Sequence, residues 1–205
     1  IDYFDYIKGT YHKNIFPERN PTIQKALGDV GNDIEIYGEK LYAVINCSNL
    51  IEVMDVNTAR HLHTIAIPNC RYITFKDNYA YVSSYAGEVK IDPNARLGYV
   101  AKIDTATMQV VDSCAVGYQP EEMVIAGNKL YVANSGGYRV PNYDKTVSVI
   151  DLKTFKEINP SPRTLMTPGP VEADPRVLKA MSSHILGQFD PEFTDLMAET
   201  QEMAR

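Results

Sequence analysis

The feature that most constrains this chain is a pattern that returns three times at nearly fixed spacing. Gly38-Glu39-Lys40-Leu41-Tyr42-Ala43-Val44, Asp77-Asn78-Tyr79-Ala80-Tyr81-Val82 and Gly127-Asn128-Lys129-Leu130-Tyr131-Val132-Ala133 superpose, each a turn followed by an alternating run. Downstream of each, a second run ends in Asp before a Thr-containing turn, and the aspartates Asp55, Asp104 and Asp151 stand 49 and 47 residues apart. Alternation with period two dictates strands, because successive side chains of a strand point to opposite faces. A further strand follows each turn, at 63–67 and 110–116. Four short strands in about 40–50 residues make the unit of a β-propeller blade. The chain is therefore predicted to be mainly β, a partial β-propeller of about three four-stranded blades. The blades fall at 32–68, 69–117 and 118–159, after a lead-in over 1–31.

The repeat stops where Asn159-Pro160-Ser161-Pro162 interrupts it, and helix signals begin. Asp174-Pro175 and Asp190-Pro191 each place an N-cap before a Pro at the first helical position. The second opens a stretch with Phe193, Leu196, Met197, Thr200 and Met203 along one side, the apolar spacing of an amphipathic helix. A short α-helical C-terminal tail is predicted over 160–205.

Composition narrows the partners. With 20 Lys+Arg against 26 Asp+Glu and a net charge of −6, the chain lacks the basic stripe that nucleic acid requires, so no nucleic-acid partner is expected. No apolar run approaches the ~20 residues of a membrane helix. The chain opens at Ile1 rather than Met and no signal peptide is legible, which leaves the compartment undecided by targeting signals. Fourteen Tyr against six Phe and no Trp weight the aromatic set toward hydroxyl-bearing rings, suited to half-buried strands and polar binding rims.

Leu130-Tyr131-Val132-Ala133-Asn134-Ser135-Gly136 followed by Thr146-Val147-Ser148-Val149-Ile150-Asp151 resembles the YVTN repeat of bacterial surface-layer and YncE-like propellers, with weaker copies in the other two blades. The resemblance covers about 32–158. More narrowly, it extends to propeller lipoproteins displayed beside outer-membrane nutrient transporters, some of which capture cobalamin. It implies a periplasmic or cell-surface location for this part, and as partners a small-molecule ligand or an outer-membrane transporter.

In a propeller blade with strands a to d, the b–c and d–a connections share one face. From the aligned Tyr to the aligned Asp the separations are 13, 23 and 20 residues, so the second and third blades carry inserts in their b–c loops. Those inserts and the d–a connections gather Tyr85, Tyr118, Tyr138 and Tyr143 with Arg71, Arg96, Arg139 and Glu121. Such a set could stack on a flat ligand and hydrogen-bond its edge; the alternative is ordinary solvated loop residues. Each blade holds one Cys. Cys47 begins a b–c loop and Cys70 enters a strand a, which places both on the loop face near one blade boundary. A Cys47–Cys70 disulfide is the hypothesis for an exported protein, and small buried hydrophobes are the alternative.

His61 and His63 alternate on a strand and so are read as sharing a face, but no third ligand stands at a telling distance and no metal is assigned. Asp92-Pro93-Asn94 lacks the acidic spacing and the Gly of a calcium loop. No Ser/His/Asp constellation or Gly-rich phosphate motif is present, and no catalytic residue is assigned. The repeat aspartates are read as acceptors of turn hydrogen bonds.

The segment 163–205, through Arg163-Thr164-Leu165-Met166-Thr167-Pro168-Gly169-Pro170-Val171 and Leu186-Gly187-Gln188-Phe189-Asp190-Pro191-Glu192-Phe193, resembles the extreme N-terminus of class V PLP-dependent aminotransferases of the alanine–glyoxylate type. That resemblance implies that Pro168, Gly169 and Pro170 approach the substrate end of a pocket in a cytoplasmic enzyme. PLP enters only through it. These 205 residues include none of the large domain that supplies the Schiff-base Lys, so no enzyme activity and no cofactor are expected of them. The whole reads as a join near Asn159 to Ser161, whether a chimera, an assembly fusion or an engineered one. Three blades leave an open edge and an uncovered face, which predicts self-association. The expected function is a fragment of an exported, non-enzymatic propeller binding protein. The alternatives are an aminotransferase fragment and a structural surface-layer module.

Overall fold

A computed structural model describes residues 1–23 and 26–158. The chain divides into units Ile1–Asn159 and Pro160–Arg205, and the first holds all the described structure. The predicted tail, with Pro168, Gly169 and Pro170, lies outside the described residues.

Three four-stranded antiparallel sheets follow one another, each a meander in chain order. The first contains β3 (Gly31–Tyr37), β4 (Lys40–Ile45), β5 (Leu50–Asp55) and β6 (His61–Ala66). The second contains β7 (Cys70–Lys76), β8 (Tyr79–Ser84), β9 (Tyr99–Asp104) and β10 (Val110–Ala115). The third contains β11 (Pro120–Ala126), β12 (Lys129–Asn134), β13 (Thr146–Asp151) and the short β14 (Lys156–Glu157). The aligned tyrosines fall at one register position, Tyr42 opposite Val53, Tyr81 opposite Lys102 and Tyr131 opposite Val149. The repeat in the sequence is thus a repeat in the pairing.

Alternation decides how the sheets meet. Tyr42, Val44, Ile51 and Val53 of the first sheet are buried in one cluster with Ile73, Ala80, Val82, Ala101 and Ile103 of the second. The other face of the second sheet gives Tyr81 and Val100 to a cluster with Leu130, Val132 and Ile150 of the third. Burial of each Val, Ile or Leu among them contributes about 1.5–3 kcal/mol, so the two seams supply the main hydrophobic stabilisation. Close approach between sheets is made by inner strands, β3 and β4 against β7, and β7 and β8 against β11.

The aspartates hold the outer turns as expected. Asp55 Oδ1 accepts from the Thr58 N–H at 2.8 Å, Asp104 Oδ1 from Thr107 at 2.8 Å and Asp151 Oδ1 from Thr154 at 3.0 Å. Bonding to Thr58 or Thr107 and their neighbours holds the Asp55 and Asp104 carboxyls below the ordinary carboxylate range, and the Thr154 and Lys153 N–H groups do the same for Asp151. Each turn closes on a buried residue with left-handed φ, namely Ala59, Met108 and Phe155.

The lead-in is a structured cap. A hairpin of β1 (Tyr3–Asp5) and β2 (Thr10–His12) precedes a single helical turn, α1 (Ile15–Arg19). Phe16 packs with Ala43, Ile45 and Met54 on the face of the first sheet that turns away from the second. Asn20 latches it: Nδ2 donates to the carbonyls of Phe16 (2.8 Å) and Ala59 (2.9 Å), and Oδ1 accepts the His61 N–H at 2.7 Å. Asn20→Ala removes three bonds, two of them buried, and is expected to cost about 1–2 kcal/mol. Amide hydrogen exchange should accelerate over Ile15–Asn20 and leave the seam between the second and third sheets protected.

Two expectations are corrected. His61 and His63 do not share a face: the register shifts between Val53 and Met54, so His63 pairs with Val53 and His61 with Met54, which belong to opposite faces. The bulge adds one residue and reverses the alternation. His61 Nδ1 bonds the buried Glu52 carboxylate, which also accepts from Thr64 Oγ1 at 3.1 Å. The Cys47–Cys70 disulfide is not formed: all three cysteines are free thiols. Cys47 lies on an exposed turn, whereas Cys70 is buried with its thiol aimed at the Leu50 carbonyl 3.3 Å away. Burial pushes the Cys70 thiol up to about 11, so it remains protonated.

Candidate functional site

The inner strands β3, β7 and β11 each carry a bulge just after their first residue, between Gly31 and Asp33, Cys70 and Ile73, and Pro120 and Met123. Bulges re-aim side chains. The residues at equivalent positions, Asn32, Arg71 and Glu121, link one sheet to the next. Asn32 Nδ2 donates to the Arg71 carbonyl at 2.7 Å, and Arg71 Nε donates to Glu121 Oε2 at 3.0 Å. Tyr85 closes the set by donating its hydroxyl to Glu121 Oε1, while the Arg71 guanidinium lies 4.7 Å from the Tyr85 ring centre.

Electrostatics follow from this packing. Burial works most strongly against the Arg71 charge, but the Glu121 bond together with the nearby charges of Tyr85, Glu121 and Tyr72 outweighs it and the guanidinium is held above its ordinary pKa. Burial first, and then the bond to Glu121, raise the Tyr85 hydroxyl, which stays a donor. Arg71 and Tyr85 therefore both keep their protons and present fixed donors to the Glu121 carboxylate.

The inserts of the second and third sheets are held by two buried amides. Asn69 and Gln119 immediately precede β7 and β11, both with left-handed φ. Asn69 Nδ2 donates to the Gly87 carbonyl at 2.5 Å, and Gln119 Oε1 accepts the Tyr138 N–H at 2.6 Å. The inserts also grip each other. The Asp92 N–H donates to the Tyr138 carbonyl at 2.9 Å, and Arg139 reaches the Pro93 carbonyl at 3.2 Å. The Arg139 guanidinium stacks 3.5 Å from the Tyr118 ring centre. Gly117 permits the close approach behind Tyr118, since a Cβ there would lie 2.5 Å from the Asn134 side chain.

Between Tyr85, Gln119 and the first insert lies a cleft of about 400 Å³, lined among others by Lys90, Asp92, Asn94 and Arg96. Of the eight loop-face residues expected from the sequence, Arg71, Tyr85, Glu121 and Tyr138 form one contact set, with the Tyr85 and Tyr138 rings 6.3 Å apart. Arg139 and Tyr118 form a neighbouring pair, and Arg96 lines the cleft. Tyr143 stands exposed on the third-sheet insert, outside this set. Asn69 and Gln119 escaped the sequence reading; the signal was an amide side chain at one position of the repeat in the second and third blades.

Repeated four-stranded antiparallel sheets, each packed on the next and carrying inserts that pack together beside a cleft, define a partial β-propeller. Solved propellers agree. Hydrazine synthase of Kuenenia stuttgartiensis superposes with a TM-score of 0.52 and 18% identity, over 66% of this chain and 38% of its own. The dihydro-heme d1 dehydrogenase NirN, solved in complex with DHE, superposes with a TM-score of 0.52 and 10% identity, over 77% of this chain and 32% of its own. At these identities the likeness is one of fold. A different likeness is to (S)-ureidoglycine–glyoxylate transaminase of Bacillus subtilis (strain 168), 67% identical over 43 residues. That match spans 21% of this chain and 10% of the enzyme, and its length equals that of 163–205. No family model matches the chain. Among the described residues no helix is long and apolar enough to cross a membrane.

Proposed function

We propose that the propeller part belongs to an exported or surface-associated binding protein that captures a small polar nutrient without chemically changing it. The observation that carries this is the cleft of about 400 Å³ beside the Arg71–Glu121–Tyr85 network. Its volume falls in the range of small-molecule sites, and its walls are set by hydrogen bonds already made. The lining offers both donors and acceptors. Lys90 pairs weakly with Glu88 at 3.7 Å, whereas the exposed Arg96 guanidinium makes no hydrogen bond or ion pair to the described residues.

Such a lining suits a ligand edge fringed with amides or carboxylates. A corrinoid, whose rim carries primary amides, is the specific ligand that the likeness to transporter-associated propellers suggests. The test is cyanocobalamin titrated into the chain by equilibrium dialysis. Saturable binding is expected, weakened about tenfold by Arg96→Ala, which removes one charge-assisted bond. Arg139→Ala should weaken it too, by freeing the Pro93 segment. No saturable binding would overturn the corrinoid assignment, and binding untouched by either substitution would remove it from this cleft.

The 43-residue match favours a second reading, a transaminase-derived segment joined to the propeller part. Genomic sequence across residues 159–161 tests that reading: two separate genes meeting there would support it, and one uninterrupted gene would count against it.

A further inference from the structure

The repeat offers an internal comparison that singles out one residue of the cleft. Val30, Asn69 and Gln119 hold one position, since their carbonyls accept the N–H groups of Asn46, Tyr85 and Ser135, and all three have left-handed φ. Val30 precedes the sheet without an insert, whereas Asn69 and Gln119 serve the two sheets that carry one. Asn69 is spent at both ends: Oδ1 accepts from Asn46 Nδ2, and Nδ2 donates to the Gly87 carbonyl. Gln119 is spent at one end only. Its Oε1 accepts the Tyr138 N–H at 2.6 Å, a bond that fixes which way the amide points, because only the oxygen can accept. Its Nε2 makes no hydrogen bond among the described residues, although Gln119 is only 3% exposed.

Holding an insert needs no more than Asn69 achieves, and an amide satisfied at one end is a poor choice for a buried position with that task alone. The Nε2 atom is not sealed in the interior, and Gln119 lines the cleft with Tyr85 and Arg96, so the free donor opens there. The charges of the lining say what it meets. Lys90 and Glu88 face each other at 3.7 Å, and Asp92 spends Oδ1 on the Asn94 N–H at 2.9 Å. Of the two cations in the lining, Arg96 is the one without a carboxylate among the described residues. Its Nε lies 3.8 Å from where a Cβ on Gly87 would stand, beside the carbonyl that Asn69 holds, so Arg96 rests on a braced segment.

We propose, resting on the reading of this cleft as a capture site, that it takes its ligand by a carboxylate, one oxygen accepting from Gln119 Nε2 and the charge met by Arg96. A carboxylate only accepts, which suits two donors without partners. A primary amide would present N–H groups to the same two donors and bring no charge to Arg96. Gln119 thus has two tasks on one side chain, with the oxygen holding the third-sheet insert and the nitrogen reading the ligand.

The experiment is an NMR titration of the full isotope-labelled chain, at mildly alkaline pH, with succinate and separately with its diamide, read at the Gln119 side-chain amide and the Ala95 N–H. The wild type is expected to bind succinate saturably and about tenfold or more tightly than the diamide. Gln119→Glu keeps an oxygen for the Tyr138 N–H and turns the free donor into an acceptor. It should keep the Tyr138 amide slow to exchange and weaken succinate about tenfold or more. Arg96→Gln, at an exposed position, keeps donors without the charge and should bring the two affinities together. Undiminished succinate binding by Gln119→Glu, an undiminished preference for the acid in Arg96→Gln, equal affinities in the wild type, or no saturable shift with succinate would each overturn the proposal. Cyanocobalamin still held by the cleft in any of those cases would leave the capture reading standing, so the two fail separately.

Discussion

Ile51→Ala is expected to lower the unfolding free energy by about 3 kcal/mol, the range for emptying a core position that cannot collapse. Ile51 is fully buried on β5, packed in the seam that joins the first sheet to the second. Leu62→Ala, on the neighbouring strand β6, should cost less than about 0.5 kcal/mol, because Leu62 is half exposed. The contrast is informative because both residues look like core to a hydropathy pattern. Urea denaturation of the two variants, followed by circular dichroism, reads it directly. Equal losses would mean that the packing of the first two sheets is not as described.

Glu121→Ala is expected to cost about 2–3 kcal/mol, below the 3–5 kcal/mol of a fully buried pair because Arg71 and Glu121 retain 15% and 23% side-chain exposure. The loss arises less from the missing attraction than from what remains. Arg71 is left largely buried without its carboxylate, and the Tyr85 hydroxyl loses its acceptor. The double variant Arg71→Met with Glu121→Leu should therefore recover part of the stability that Glu121→Ala removes. Ligand capture should fall in both, since Tyr85 forms part of the cleft wall. A double variant no more stable than Glu121→Ala would show that the residual charge is not the source of the loss.

Much of this architecture was legible in the sequence because its determinants are local and periodic. Alternation in 40–45, 79–84 and 129–134 specified strands, and the recurrent aspartates specified the outer turns. Loop lengths pointed to the inserts, and four of the eight residues drawn from them and from the connections, Arg71, Tyr85, Glu121 and Tyr138, meet in one set. What escaped has a common physical cause. A bulge adds one residue without altering composition, so the alternation that placed His61 and His63 together failed at the shift beside Met54. The same kind of irregularity, at the start of each inner strand, brings Asn32, Arg71 and Glu121 into line. Asn20 reaches Ala59 and the His61 amide some 40 positions away in sequence, a pairing that no local pattern encodes. The cysteines were misjudged because proximity of two backbone positions does not fix the direction of their side chains: the thiol of the exposed Cys47 turns to Asn46 Oδ1 at 3.4 Å, and that of Cys70 to the Leu50 carbonyl in the core.

The central claim is that consecutive sheets stack through equivalent faces, and ring contacts across the two seams test it most directly. In solution NMR, Tyr37 of β3 should show cross-relaxation with Phe75 of β7, whose ring lies parallel to it at 4.6 Å. Tyr81 of β8 should show it with Phe155, 5.8 Å away beyond the second seam. Both contacts together are the result this arrangement requires; a spectrum in which Tyr37 and Tyr81 contact only protons of their own sheets would contradict it.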